Sequence, residues 1–247
     1  MRQRIRSRWD CPGALLIVAL TLSLLLSGCS LYSYFFGQGE EKDASELMTD
    51  GMDNLERGSY RDAVEAFQKL KDRYPYSKLA VTAELKMADA LYLTGEYDQG
   101  YVAYDEFEKL HPKHKEIPYV IYQKGMCHFQ QVRSKDREQV HSLKAKGEFE
   151  RLINRFPKHE YADRARKNLR QCLIYLAEYE VYVGHFYFKK GFYRAALARY
   201  TYAIENYPDL GQYHEALESI AKCKQKLAAG SGQEQAQERS WFSSIWK

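Results

Sequence analysis

The chain runs to 247 residues, of which 45% are apolar and 28% charged, a globular composition long enough for one large or two ordinary domains. Its formal charge of +4 is concentrated at the start: four arginines and one aspartate lie within the first 28 residues, and the rest carries 33 basic against 32 acidic side chains. That near-neutral balance, with the signs interspersed, gives no electrostatic case for nucleic acid, whose binding needs a basic face.

Arg2, Arg4, Arg6 and Arg8 precede an apolar run from Ala14 to Leu26. The run is too short to span a bilayer comfortably and suits the core of a signal peptide. It ends Leu26-Ser27-Gly28-Cys29, which resembles the bacterial lipoprotein box. The resemblance implies that residues 1–28 are removed and that the thiol of Cys29 carries a diacylglycerol, with palmitate-type acyl chains as the membrane anchor. One chain holds a protein only marginally and several hold it firmly. Ser30, where an aspartate would signal retention, resembles lipoproteins sent on to the outer membrane. The alternative is an ordinary secretory signal in which Cys29 is incidental. Residues 29–43 read as the lipidated cysteine and a tether, whose Tyr32, Tyr34, Phe35 and Phe36 suit a headgroup interface or pack on the first repeat.

From residue 44 the chain is periodic. Gly58-Ser59-Tyr60-Arg61-Asp62-Ala63, with Phe67, Leu70, Tyr74 and Pro75 after it, returns 37 residues later as Gly95-Glu96-Tyr97-Asp98-Gln99-Gly100 with Tyr104, Phe107, His111 and Pro112. A third copy is Gly191-Phe192-Tyr193-Arg194-Ala195-Ala196 with Tyr200, Ala203, Tyr207 and Pro208, and a fourth, degraded at its turn, keeps Ala145, Phe149, Leu152, Phe156 and Pro157. A second register of small residues (Gly51, Ala88, Gly125, then Gly184 and Ala221) has the same 37-residue spacing. Small residues admit a neighbouring helix, and proline takes its predecessor out of helical geometry. The units are similar to the tetratricopeptide repeat and predict an all-α solenoid of about five helix pairs. The first helix is expected over 45–57, and the second helix of each pair over 60–73, 97–110, 143–155 and 193–206.

Two departures modify the pattern. Eight extra residues lie between Gly125 and Pro157, with Ser134 to Gln139 as the inserted loop. The stretch from Tyr161 to Phe188 has no proline and only Gly184 as glycine, which predicts one long helix linking an N-terminal repeat block (44–160) to a C-terminal block (161–227). A lone helix over 213–227 caps the stack. Residues 228–247 read as a tail without fixed structure, in which Trp241, Phe242, Ile245 and Trp246 would share one face of a short helix.

Counted from the small-residue register, Met48, Met52, Leu85, Tyr92, Tyr119, Tyr122, Met126 and Phe129 line a groove. Adaptable methionines and rigid aromatics suit an extended apolar-aromatic peptide; the alternative is that several of them fill the interior. Cys127, Cys172 and Cys223 recur at equivalent repeat offsets, in separate repeats and too far apart to bridge, so they are expected as buried apolar fillers. His111 and His114 straddle a proline turn without a third ligand, and His128 and His185 have no catalytic partner at a recognisable spacing. With no phosphate loop, Gly-x-Ser-x-Gly or His-Glu-x-x-His, nothing supports an enzyme, a metal or a cofactor.

The segments Leu176-Ala177-Glu178-Tyr179-Glu180, Val183 to Ala196 and Glu205-Asn206-Tyr207-Pro208, together with the lipobox, the five-repeat organisation, the modified third repeat and the long helix, resemble the BamD/ComL family. The resemblance implies a non-enzymatic lipoprotein of the β-barrel assembly machinery, anchored at the outer membrane and facing the periplasm. The implied partners are the barrel-forming subunit, held through its POTRA domain, other lipoproteins of the machinery, and unfolded outer-membrane proteins. Arg199 falls where family members carry an arginine on the POTRA-facing side. The Trp-rich ending departs from the family. Two other readings are a tetratricopeptide lipoprotein serving another envelope machine, as a secretin pilotin or cell-division coordinator, and an accessory domain for a peptidoglycan enzyme.

Overall fold

The computed structural model describes residues 41–132, 139–207 and 211–230. Cys29 and its leader, the tether up to residue 40, positions 134–138 of the inserted loop, Pro208 and the tail from residue 231 lie outside them. Among the described residues there are nine helices and no strand: α1 (Ala44–Glu56), α2 (Tyr60–Arg73), α3 (Ala80–Leu93), α4 (Tyr97–Leu110), α5 (Ile117–Phe129), α6 (Val140–Arg155), α7 (Glu160–Lys189), α8 (Tyr193–Asn206) and α9 (Tyr213–Gly230). From α2 to α9 each helix packs on the next in sequence, and α5 also packs on α7. Two units are distinguished, 1–46 and 47–247. The described end of the first holds the start of α1, where Asp43 Oδ1 accepts the backbone N–H groups of Ser45 and Glu46.

The repeated sequence dictates the repeated geometry. Gly58, Gly95 and Gly191 adopt φ of +77°, +83° and +82°, a left-handed conformation that costs glycine nothing. At each, the next residue donates its N–H back across the turn (Ser59 to Asn54 O, Glu96 to Leu91 O, Phe192 to Tyr187 O), and the glycine itself bonds the carbonyl three residues before it. These paired bonds satisfy the last carbonyls of the first helix and reverse the chain into the second. At the far end, Tyr74, His111, Phe156 and Tyr207 leave helical geometry with φ between −134° and −125° and ψ between 53° and 62°. Each precedes a proline in the sequence, as the steric bias against helix before proline requires. The third pair lacks the glycine. Its second helix begins at Val140, three residues earlier than the pattern indicates, where the Gln139 carbonyl accepts from Leu143 N–H and Ser142 Oγ donates to Gln139 Oε1.

The small-residue register brings helices into contact. A Cβ added at Gly51 would lie 2.3 Å from Phe67, at Gly125 2.5 Å from Phe149, and at Gly184 2.5 Å from Tyr200. Each glycine therefore holds the ring of the following helix against its own backbone. Ala88 and Tyr104 are both fully buried in the same core.

The 30-residue helix α7 is the shared wall of the stack. Its Ala165 and Cys172 close a large core formed with α3 to α6; Leu176 and Ala177 meet Tyr207; Val181 joins α8 and α9 around Ala196, Tyr200, Ala203, Ala216, Ile220 and Cys223. The architecture is an α-solenoid of four antiparallel pairs plus α9, the first helix of a fifth. That last helix runs three residues beyond the expected end at Leu227, so Ala228 to Gly230 belong to it rather than to the tail.

Candidate functional site

A cleft of about 460 Å³ opens between α3, the turn before α5, and the start of α7. Val81, Thr82, Leu85 and Lys86 come from α3, His114, Lys115 and Glu116 from the turn, and Tyr119 and Tyr161 from α5 and α7. Leu85 is buried and forms an apolar floor, and the rings of Tyr119 and Tyr161 lie 5.3 Å apart. The cleft thus offers flat aromatic walls, an aliphatic base and a rim in which two lysines and a histidine outnumber one glutamate.

Asp89 fixes this arrangement from beneath. Its Oδ1 accepts from Tyr104 Oη at 2.8 Å and Tyr119 Oη at 2.7 Å, its Oδ2 accepts from Lys86 Nζ at 2.9 Å, and Gln123 Nε2 donates to Tyr119 Oη at 3.0 Å. Burial, reinforced by the Asp89 charge, pushes the phenols of Tyr104 and Tyr119 well above their ordinary pKa, so both remain donors. A hydroxyl committed inward leaves the ring of Tyr119 as the surface presented to the cleft.

Of the eight groove residues expected from the sequence, the cleft brings together Leu85 and Tyr119. Tyr92 accepts from Gln130 Nε2 and meets the edge of Tyr97. Tyr122 Oη and Met126 Sδ both receive Asn168 Nδ2 of α7, at 3.1 and 3.0 Å, and Phe129 packs on Phe149 and on Tyr175 of α7. The long helix therefore occupies the face that Tyr122, Met126 and Phe129 present. Met48 and Met52 are half-buried on α1, either side of Gly51. Sequence reasoning missed Tyr161, His114 and Asp89. The last was detectable in principle as a charged residue wedged between the small Ala88 and Ala90.

A second polar cluster locks α4, α5 and α6 together. Lys124 is 3% exposed, and its Nζ donates to Asp105 and Glu108 and lies 3.6 Å from Glu148. Arg151 makes a two-pronged contact with Glu108 (2.6 and 2.9 Å) and also reaches Glu148. Burial works against the charges of Asp105 and Glu108, yet the bonds from Lys109, Lys124 and Arg151 outweigh it and hold both carboxyls below their ordinary range.

Arg199 lies on α8 with 44% of its side chain exposed, and its Nη1 donates to Glu180 Oε2 of α7 at 3.0 Å. The guanidinium is half-sheltered and held in one orientation. On α7, α8 and α9, Tyr182, Phe186, Tyr202, Tyr213 and Leu217 are each at least 40% exposed.

Cys127, Cys172 and Cys223 are buried, and burial pushes the thiols of Cys127 and Cys172 up to about 12, well away from reactive thiolate. His111 Nε2 pairs with Glu84 Oε2 at 2.8 Å. Among the described residues no three His, Cys, Asp or Glu side chains are grouped to hold a metal, and no helix is long and apolar enough to cross a membrane.

Antiparallel helix pairs in a constant small-to-aromatic register, with an aromatic cleft between first helices, define a helical-repeat protein of the tetratricopeptide type. Residues 40–239 match the YfiO family, described as outer membrane lipoprotein, and the chain belongs to that family. Three relatives are each named outer membrane protein assembly factor BamD. The one from Caulobacter vibrioides is 30% identical over 178 residues, covering 72% of this chain and 58% of its own length. The one from Neisseria meningitidis serogroup B is 29% identical over 231 residues, covering 86% and 84%, and that from Vibrio cholerae is 26% identical over 218 residues, covering 82% and 90%.

Proposed function

We propose that this chain is a scaffold for the assembly of outer-membrane β-barrel proteins. In this reading it is anchored by lipid on Cys29 at the outer membrane and faces the periplasm. Its C-terminal block holds the POTRA-bearing barrel subunit, and its N-terminal block receives unfolded barrel substrates beside the machinery's other lipoproteins. The observation that carries the reading is the family match over residues 40–239, with relatives named as assembly factors.

The geometry supports a division of labour. The cleft at Leu85, Tyr119 and Tyr161 has the size and aromatic walls for one or two side chains of an extended peptide. Arg199 is pre-oriented by Glu180, and α7 and α8 also expose Tyr182, Phe186 and Tyr202; arginine and aromatic side chains are the residue types that dominate binding energy at protein interfaces. An acidic group on the partner would compete with Glu180 for the guanidinium.

Three experiments test the reading separately. Metabolic labelling with a fatty acid should mark the wild type and not Cys29→Ser; a labelled mutant removes the anchor. Arg199→Glu should reduce co-purification of the barrel-forming subunit from detergent-solubilised outer membrane, and an undiminished yield removes Arg199 from the interface. A photo-crosslinker at position 119 should capture unfolded barrel proteins. Recovery of a secretin or division protein as the dominant partner instead would overturn the scaffold role.

A further inference from the structure

In the stack, a small residue on the first helix of a pair is covered by a ring from the second: Gly51 by Phe67, Gly125 by Phe149 and Gly184 by Tyr200. The next member of this register is Ala221, 37 residues after Gly184. It lies exposed on α9. Tyr213 and Leu217, 44% and 40% exposed, precede it at four-residue intervals, so the three form one apolar stripe along the helix. The stripe flanks the buried face made by Ala216, Ile220 and Cys223. By the geometry of the earlier pairs, this is the flank that a following helix would cover.

The sequence supplies a segment with the right chemistry. Residues 231–247 include Trp241, Phe242, Ile245 and Trp246, at i, i+1, i+4 and i+5, one face of a helical turn and a half. The family match ends at residue 239, before this aromatic group begins. We propose that residues 241–246 fold back in cis onto the Tyr213–Leu217–Ala221 stripe of α9 and supply the aromatic cover of the fifth pair.

The register agrees. Helix α7 runs five residues past Gly184, and Tyr200 follows 16 residues after that glycine; α9 runs nine residues past Ala221. Four additional residues outward and four on the return move the covering position to about 24 residues after Ala221. That is Ile245, with Trp246 beside it and Trp241 one turn earlier. The reach is ample without any helix in the tail: the residues between Gly230 and Trp241 extend over about 33 Å, against about 14 Å back along α9 to Ala221. Gly232 comes just after the helix end, where a reversal favours glycine. Lys222 is paired with Glu218 on α9, while Lys224 and Lys226 beyond the stripe match Glu234 and Glu238, against one Arg239, of the connecting segment in charge. Indoles and an exposed apolar stripe joined by so short a connection meet at high effective concentration, which favours this occupant over a second copy or a separate partner.

Tryptophan fluorescence reads the proposal directly, because the chain's three tryptophans are Trp9, Trp241 and Trp246. In full-length protein carrying Trp9→Phe, in detergent and excited at the red edge where tyrosine does not absorb, only the tail emits. The emission is expected to be blue-shifted, and acrylamide quenching weakened, relative to the same protein in guanidinium, unchanged on dilution. Leu217→Glu and Ala221→Glu, both at exposed positions, should each return emission and quenching toward the denatured values while far-ultraviolet circular dichroism keeps its helical signal. Emission that already matches the denatured chain overturns the proposal. So does shielding that survives both substitutions, as burial in the micelle would, or shielding lost on dilution, which would indicate a second copy.

Discussion

The first three helix pairs and the last are built on one plan and differ in where their cations sit: Lys124 is 3% exposed, the side chain of Arg199 44%. In the N-terminal block, apolar packing is supplemented by buried polar groups that each bond across two or three helices: Asp89 joins α3 to α4 and α5, and Lys124 joins α5 to α4 and α6. In the C-terminal block the corresponding space holds Val181, Ala196, Tyr200, Ala216 and Ile220. There Glu180 is as buried as Asp89 but its cation, Arg199, is 44% exposed, and buried Tyr200 bonds His185, whose other ring nitrogen reaches the exposed Glu215. A buried polar network tolerates only one relative placement of its helices, because any slip strands a charge or hydroxyl away from water. The N-terminal block thereby defines a cleft of fixed shape. Both blocks leave large apolar side chains outside, but those of the C-terminal block are aromatic except Leu217, whereas those of the N-terminal block are aliphatic except Tyr76.

The largest expected effect breaks the network. Lys124→Met leaves Asp105, Glu108 and Glu148 facing one another with less compensating charge, and removing one partner of a buried ionic group costs about 3–5 kcal/mol. Denaturant unfolding at pH 7 should show that loss. Asp105 and Glu108 have folded-state pKa values below their ordinary ones. The stability they contribute is therefore complete above the unfolded value of about 4 and is lost as pH falls through the folded values. The gap between wild type and Lys124→Met should accordingly narrow as pH is lowered from 7 toward about 3. A gap independent of pH would mean that the network is not what the substitution removes.

Next in size is a matched pair of glycine substitutions. Gly125→Ala and Gly184→Ala each drive a Cβ to 2.5 Å from a ring, and overpacking of this kind costs about 1–3 kcal/mol. Phe149 is fully buried and flanked by the rings of Tyr122 and Phe129, whereas Tyr200 packs in a smaller core whose far wall is the last described helix. Gly125→Ala should therefore cost more. Equal losses in thermal or denaturant unfolding would show that the two blocks yield alike.

The smallest expected effect on stability is at the exposed aromatics. Tyr182→Ser with Phe186→Ser should leave unfolding unchanged within about 0.5 kcal/mol per site, yet lower recovery of the barrel-forming subunit in the co-purification assay. A large stability loss would make these side chains part of the core rather than a docking surface.

The sequence by itself determined the helix count in the repeats, the turn glycines, the proline-terminated ends and the long α7, because each is decided by local sterics among a few neighbouring residues. Gly58, Gly95 and Gly191 need no tertiary partner to favour a left-handed turn, and Tyr74 leaves the helix because Pro75 comes next. The burial of Cys127, Cys172 and Cys223 was also legible, from their recurrence at equivalent offsets in different repeats. Only the tertiary structure decided which side chains line the cleft. Tyr119, Tyr122, Met126 and Phe129 share a helix face and all four touch α7, but only Tyr119 also borders the open cleft beside Leu85 and His114, and Tyr161 enters from that same distant helix. Periodicity tells which side of a helix a residue is on. What stands opposite that side depends on the angle at which helices remote in sequence cross, and this is set by the whole packed core.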